Sequence, residues 1–148
     1  MKKLFVFCLA AIMCLSVVAL AGAAAKSNPY DNRFEAEARA ERQPGVAKNV
    51  FVVFDENDNM RKDTFTIFYR DSSGQQKEMT SVRGKVYINF TSPNYLHIGL
   101  LQIGDVNYEF VGDNYEDFDA EDIRQGDVNY YVLKINRSEK LAYIYDAD

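Results

Sequence analysis

Tryptophan is missing from this 148-residue sequence, histidine occurs once, and cysteine occurs only at positions 8 and 14. Each scarcity removes a chemistry. A lone histidine, His97, excludes a multi-histidine zinc site. No Gly-x-Ser-x-Gly elbow is present to lift a serine nucleophile out of a strand–helix turn. The lack of tryptophan removes the largest aromatic platform for stacking a sugar, although ten tyrosines remain. Both cysteines fall in an apolar run from Leu4 to Ala25, broken only by Ser16. Lys2-Lys3 precede that run, and Ala21-Gly22-Ala23 or Ala23-Ala24-Ala25 supplies an A-x-A site at its end. This is the organisation of a Sec-type signal peptide over 1–25. An uncleaved membrane anchor is the competing reading, because the run is about long enough to span a bilayer.

Removing the signal segment leaves no thiol, disulfide or thiolate ligand. Cys14 follows Ala11-Ile12-Met13, which lacks the small residue that precedes a lipidated cysteine. Small exported domains often depend on disulfides; this one must be held by its core, and roughly 120 residues suffice to bury one. A basic surplus is missing too. Without Lys2 and Lys3 the formal net charge becomes −7 from −5. Such a chain repels phosphate backbones, so nucleic acid is not an expected partner. A periplasmic or extracellular location is expected, with membrane contact only through the signal segment if it is retained.

What is present divides into two parts. Residues 26–48 contain DNRFEAEARAERQ, rich in helix formers, with Pro44-Gly45 as a stop. Phe34 is the only large apolar residue within that run, so a short helical or mobile arm with little to bury is expected. From Asn49 onward the period becomes two and Val, Ile, Phe, Tyr and Thr dominate. NVFVVFD (49–55) is apolar on both faces and reads as a central strand. DTFTIFYR (63–70) places Phe65, Ile67 and Tyr69 on one face, and GKVYINFT (84–91) does the same with Val86, Ile88 and Phe90. QQKEMTSV (75–82) is polar and suits a sheet edge, open to strand addition by a partner. His97 is placed on the strand face of Tyr95 and Leu101. The expected fold is all-β: an antiparallel β-sandwich of about seven or eight strands over 49–148, with no internal helix.

The runs VFVVFDENDNMRKDTFTIFY and VRGKVYINFTSPNYLHIGLLQIGDVNY resemble small β-sandwich domains of the transthyretin and carboxypeptidase-regulatory kind. Gly84-Lys85, Ile88, Pro93, Tyr95 and Gly104 occupy comparable places. The sequence departs from that pattern in lacking a Gly-x-Val opening and in carrying an acidic insertion. The resemblance implies an architecture and no activity.

Four features bear on ligands. DNYEDFDAED (113–122) carries six acidic side chains. It is either a solvated loop or a calcium site, with Asp113, Asp117, Asp119 and Glu121 as candidate ligands. Asp55, Asn57 and Asn59 open like an EF-hand loop, which then fails at Met60 and Thr66. Tyr115, Tyr130 and Tyr143 are candidate anchors for a protein or polysaccharide of the cell envelope. Finally, GDVNY occurs at 104–108 and again at 126–130. The flanks differ, so both copies read as one way of starting a strand. Convergence of Asp105, Asp113 and Asp127 at one end of the domain would instead indicate a ligand repeat. A non-catalytic binding module is the leading reading; a calcium-stabilised module and a hydrolase with an unrecognised carboxylate pair are the alternatives.

Overall fold

A computed structural model describes residues 28–111, 115–118 and 120–147; the expected signal segment, 1–25, lies outside them. The strands are β1 (Ala47–Phe54), β2 (Met60–Arg61), β3 (Phe65–Arg70), β4 (Gln76–Thr80), β5 (Val86–Phe90), β6 (Asn94–Ile103), β7 (Val106–Phe110), β8 (Tyr115–Phe118), β9 (Val128–Asn136) and β10 (Leu141–Asp146). Helix α1 (Glu35–Ala40) precedes them, and α2 (Ala120–Gln125) stands before β9. The all-β class therefore holds, with two short helices among the described residues.

The strands form one sheet in the order β2-β1-β9-β10-β7-β6-β3-β4, with β5 also on β1 and β8 also on β6. The sheet curls so that Phe51, Val53, Tyr131 and Leu133 from one half meet Phe65, Ile67, Leu96 and Leu101 from the other in a single core. The expected antiparallel sandwich needs correcting. The sheet is mixed, because β9 lies parallel to β1 (Lys48 with Val128 through Phe54 with Lys134) and β10 lies parallel to β7. A period of two reports which side chains face inward, but not the direction of the neighbouring strand. The double-sided apolar pattern of 49–55 was the accessible hint, since parallel pairs are buried on both faces. Here β1 is buried at every position except Lys48.

A strand buried on both faces needs two covers. The curled sheet supplies one, and the N-terminal arm supplies the other. Tyr30 and Phe34 are buried against Val50, Val52, Phe54, Val128, Tyr130 and Val132. Phe34 stacks on Tyr130 with ring centroids 4.8 Å apart, and Tyr30 packs on Phe54 at 5.1 Å. A short helix stands where a helical or mobile arm with little to bury was expected, and the arm instead buries Tyr30 and Phe34. Two aromatic residues suffice because they land on a sheet face that is already apolar.

His97 also departs from the expected face. Tyr69 pairs with Ile98 and Phe68 with Leu100, which leaves Gly99 as a bulge. One extra residue reverses the alternation. Leu101 is therefore in the core, while His97 is opposite the exposed Arg70 on the outer face.

Candidate functional site

The candidate tyrosines do not converge. Tyr130 has no exposed surface. Its hydroxyl donates to Glu41 Oε1 at 2.7 Å and lies 3.1 Å from Lys85 Nζ. Burial, followed by the Glu41 hydrogen bond, pushes its ionisation far above the usual tyrosine range. As a surface anchor Tyr130 is corrected: it closes the arm onto the sheet. Tyr143 stands opposite Lys134, four residues further along β9, about 13 Å away by strand rise. It is half-buried beside a depression of about 230 Å³ that it shares with Glu56, Lys134, Asn136 and Tyr145. Tyr115 pairs with His97 on the other half of the sheet.

Of the candidate calcium ligands, Asp113 and Asp119 lie outside the described residues. Asp117 belongs to β8 and Glu121 to α2, so the acidic segment contains a strand and a helical turn where a loop was expected. Among the described residues no group of three potential ligands gathers. Asp55, Glu56 and Asp58 are each held by other groups. Asp55 Oδ1 accepts the N–H groups of Asn57 and Asn59. Asp58 accepts from Lys134 Nζ at 2.8 Å and from the Tyr30 hydroxyl. Glu56 accepts from Arg137, which holds its carboxyl down at about 2. The Tyr30 hydroxyl is in turn raised to about 12 by burial and by Asp58.

Asp105 and Asp127 lie at opposite ends of the sheet. Asp127 leads into β9 and its carbonyl accepts the Lys48 N–H at the start of β1. Asp105 precedes β7, which runs antiparallel to β9 because Glu109 pairs with Leu141 and Leu141 with Asn136. The separation is on the order of 40 Å along the strands. Asp113 is outside the described residues. The two described copies are turns, not halves of one site.

Among the described residues one open sheet edge is formed by β4. All five of its residues are exposed, and it ends the sheet as the polar sequence implied. The hydrogen-bond phase fixes which groups are free. Ser81 N–H donates to Phe65 O at 2.7 Å, so Met79 and Lys77 also turn their backbone groups toward β3. Gln76, Glu78 and Thr80 therefore turn theirs outward.

The turn that starts this edge is firmly built. Asp71 is only 4% exposed, and its Oδ1 accepts the N–H and hydroxyl of Ser73. Its Oδ2 accepts Lys77 Nζ at 2.7 Å. These bonds, Lys77 foremost, lower the Asp71 carboxyl to about 2 from 3.8. A depressed folded value means the contribution is complete above the unfolded value near 3.8. It is lost as pH falls through about 2. Lys77→Met is expected to raise the Asp71 titration midpoint by roughly one unit. A carboxyl-carbon NMR titration measures it, and an unmoved midpoint would assign the depression to Ser73 alone. Asp71 was not selected from the sequence; the Asp-Ser-Ser-Gly turn before a polar strand was the available signal.

No protein-family model matches the sequence, and no curated protein sequence matches it. Among solved structures, one similar chain is a Bacteroides ovatus protein with a proposed role in cell adhesion. It shares 10% identity over 70% of this chain and 44% of its own length, with a TM-score of 0.40. Another is catechol 1,2-dioxygenase from Acinetobacter sp. ADP1, at 7% identity over 71% of this chain and 52% of that one, with a TM-score of 0.28. The chain thus spans about half the length of these proteins, or less. At these scores neither likeness carries an argument about function.

Proposed function

We propose that this chain is an exported, non-catalytic interaction module of the bacterial cell envelope, and that it holds a partner protein through the edge of β4. The observation that carries the reading is the exposed edge itself. An unpaired strand is an aggregation liability that folded proteins usually cover or blunt. Among the described residues nothing pairs with the outer side of β4. Such an edge donates and accepts main-chain hydrogen bonds and has no chemistry to perform, which fits recognition by strand addition. The separate tethering of Asp55, Glu56, Asp58 and Asp71 supports a non-catalytic role, since a carboxylate hydrolase needs two facing acids.

The test is capture from an envelope extract by the full chain and by Thr80→Pro, each with and without chelator. Proline at 80 removes one outward N–H while leaving the ladder to β3 intact. Retained protein is expected to fall about tenfold in the variant, equivalent to about 1.4 kcal/mol. Equal retention by both chains would remove the edge from the function. Retained polysaccharide in place of protein would redirect the reading to Tyr143 and its depression. Release by chelator would favour the calcium-stabilised alternative, whose candidate ligands are Asp113, Asp117, Asp119 and Glu121.

A further inference from the structure

We infer that the seam between β4 and β5 receives one extended peptide segment of a partner protein. A polar residue of that segment enters the depression in the seam, and an acidic group lies at its Arg83 end. The inference rests on the interaction-module reading and names what the module takes.

The two strands begin as a hairpin and then separate. Val82 and Lys85 exchange N–H···O bonds of 2.9 and 3.2 Å and close a single rung. Beyond it, β4 stays on β3 and β5 runs along β1. The phase of β5 follows from β1. Lys48 N–H points to β9, so Ala47, Asn49 and Phe51 turn toward β5 and meet Phe90, Ile88 and Val86. Tyr87 and Asn89 must then direct their backbone groups away from β1, into the seam. They face the outward groups of Gln76, Glu78 and Thr80. Among the described residues neither edge has a strand partner beyond that rung. Two opposed rows of alternating donors and acceptors are matched by an extended backbone.

Side chains narrow the occupant further. Between the strands lies a depression of about 250 Å³ whose accessible lining is mainly polar, with Asp71, Lys77, Asn89, Thr91, Ser92 and Asn94 along it and Tyr69, Met79, Ile88 and Phe90 beneath. Met79 is 38% exposed and is the one apolar side chain of that lining with substantial open surface, so the depression suits a hydrogen-bonding side chain. At the closed end, Arg83 is exposed in the turn, and Lys62 passes behind Gly84 with its Cα 3.4 Å from where a Cβ would stand. Neither cation has an ion-pair partner among the described residues. In a chain of net charge −5 this basic corner favours a carboxylate, from an acidic side chain or a chain end.

The experiment selects displayed random peptides of about ten residues, longer than the strands they must pair with, on the immobilised full chain. Enriched peptides are resynthesised and titrated. They are expected to alternate β-branched with polar residues and to carry an acidic group near one end. Glu78→Pro and Asn89→Pro should each weaken binding at least about tenfold, and Arg83→Glu about fivefold, while Lys134→Ala on the other sheet face changes nothing. Amide exchange in the unsubstituted chain supplies a second reading, independent of how the proline variants fold. Binding should slow exchange at Gln76, Glu78, Thr80, Tyr87 and Asn89 together. Loss with Glu78→Pro alone, with Asn89→Pro neutral, would overturn the seam and leave an edge-binding module standing. Failure to enrich any peptide would overturn the seam, as would a dimer of this chain abolished by Glu78→Pro. The envelope capture judges the module reading separately.

Discussion

Gly126→Ala is expected to destabilise the chain by about 3 kcal/mol, whereas Gly104→Ala, at the same place in the other GDVNY copy, costs about 1 kcal/mol. Both glycines have positive φ, +76° and +59°. That shared strain accounts for about 1 kcal/mol at either site. The surroundings account for the rest. Gly104 opens the two-residue loop between Ile103 and Val106, the first central position of a type II′ hairpin turn. A Cβ there meets nothing within 4 Å. Gly126 ends α2, with its N–H donating to Ile123 O at 3.1 Å. A Cβ on Gly126 overlaps the Gln43 carbonyl group, 2.5 Å from its carbon and 2.9 Å from Pro44 N. Backbone cannot rotate aside as a flexible side chain does. The same Ile123 carbonyl accepts Gly45 N–H at 2.9 Å, so relief of the clash pulls on the arm as well. Denaturant melts of the two variants decide it, and equal losses would show that only backbone strain matters.

Phe34→Ala is expected to cost about 3 kcal/mol, lowering the melting temperature by roughly 10 °C in a domain of this size. Phe34 is 7% exposed, stacks on Tyr130 with the ring planes 10° apart, and meets Phe54 edge-on at 6.4 Å. Its removal uncovers the second apolar face of β1 and β9. It also loosens the polar cluster beneath, in which the Tyr87 and Tyr130 hydroxyls both donate to Glu41 Oε1. Arg39→Ala on the solvent side of α1 breaks only an exposed ion pair with Glu35 and should change little. Limited proteolysis between α1 and β1 distinguishes the outcomes. A Phe34→Ala chain that melts like the parent and resists cleavage would show that the arm is a tether after all.

The candidate site was partly legible. QQKEMTSV announced an edge by its polarity, and β4 is that edge. Two features escaped sequence reading. One is that β5 leaves β4 after a single rung to pair with β1, because nothing in GKVYINFT specifies which strand accepts its hydrogen bonds. The other is the burial of Tyr130, whose strand propensity and suitability as an anchor are the same property until a partner such as Phe34 is placed on it.

Residue chemistry alone was enough for the all-β class, for the inward faces of β3 and β5, for the buried nature of β1, and for the turns at both GDVNY copies. Each of these depends on neighbours within a few positions, where period, propensity and φ preference act directly. Long-range pairing was decided by the folded chain. It set β9 parallel to β1, placed the Gly99 bulge that turns His97 outward, folded the arm over the second sheet face, and left β4 and β5 apart. These outcomes depend on which surfaces meet across tens of residues, and a local pattern is compatible with several such meetings until burial of both faces of β1 selects one.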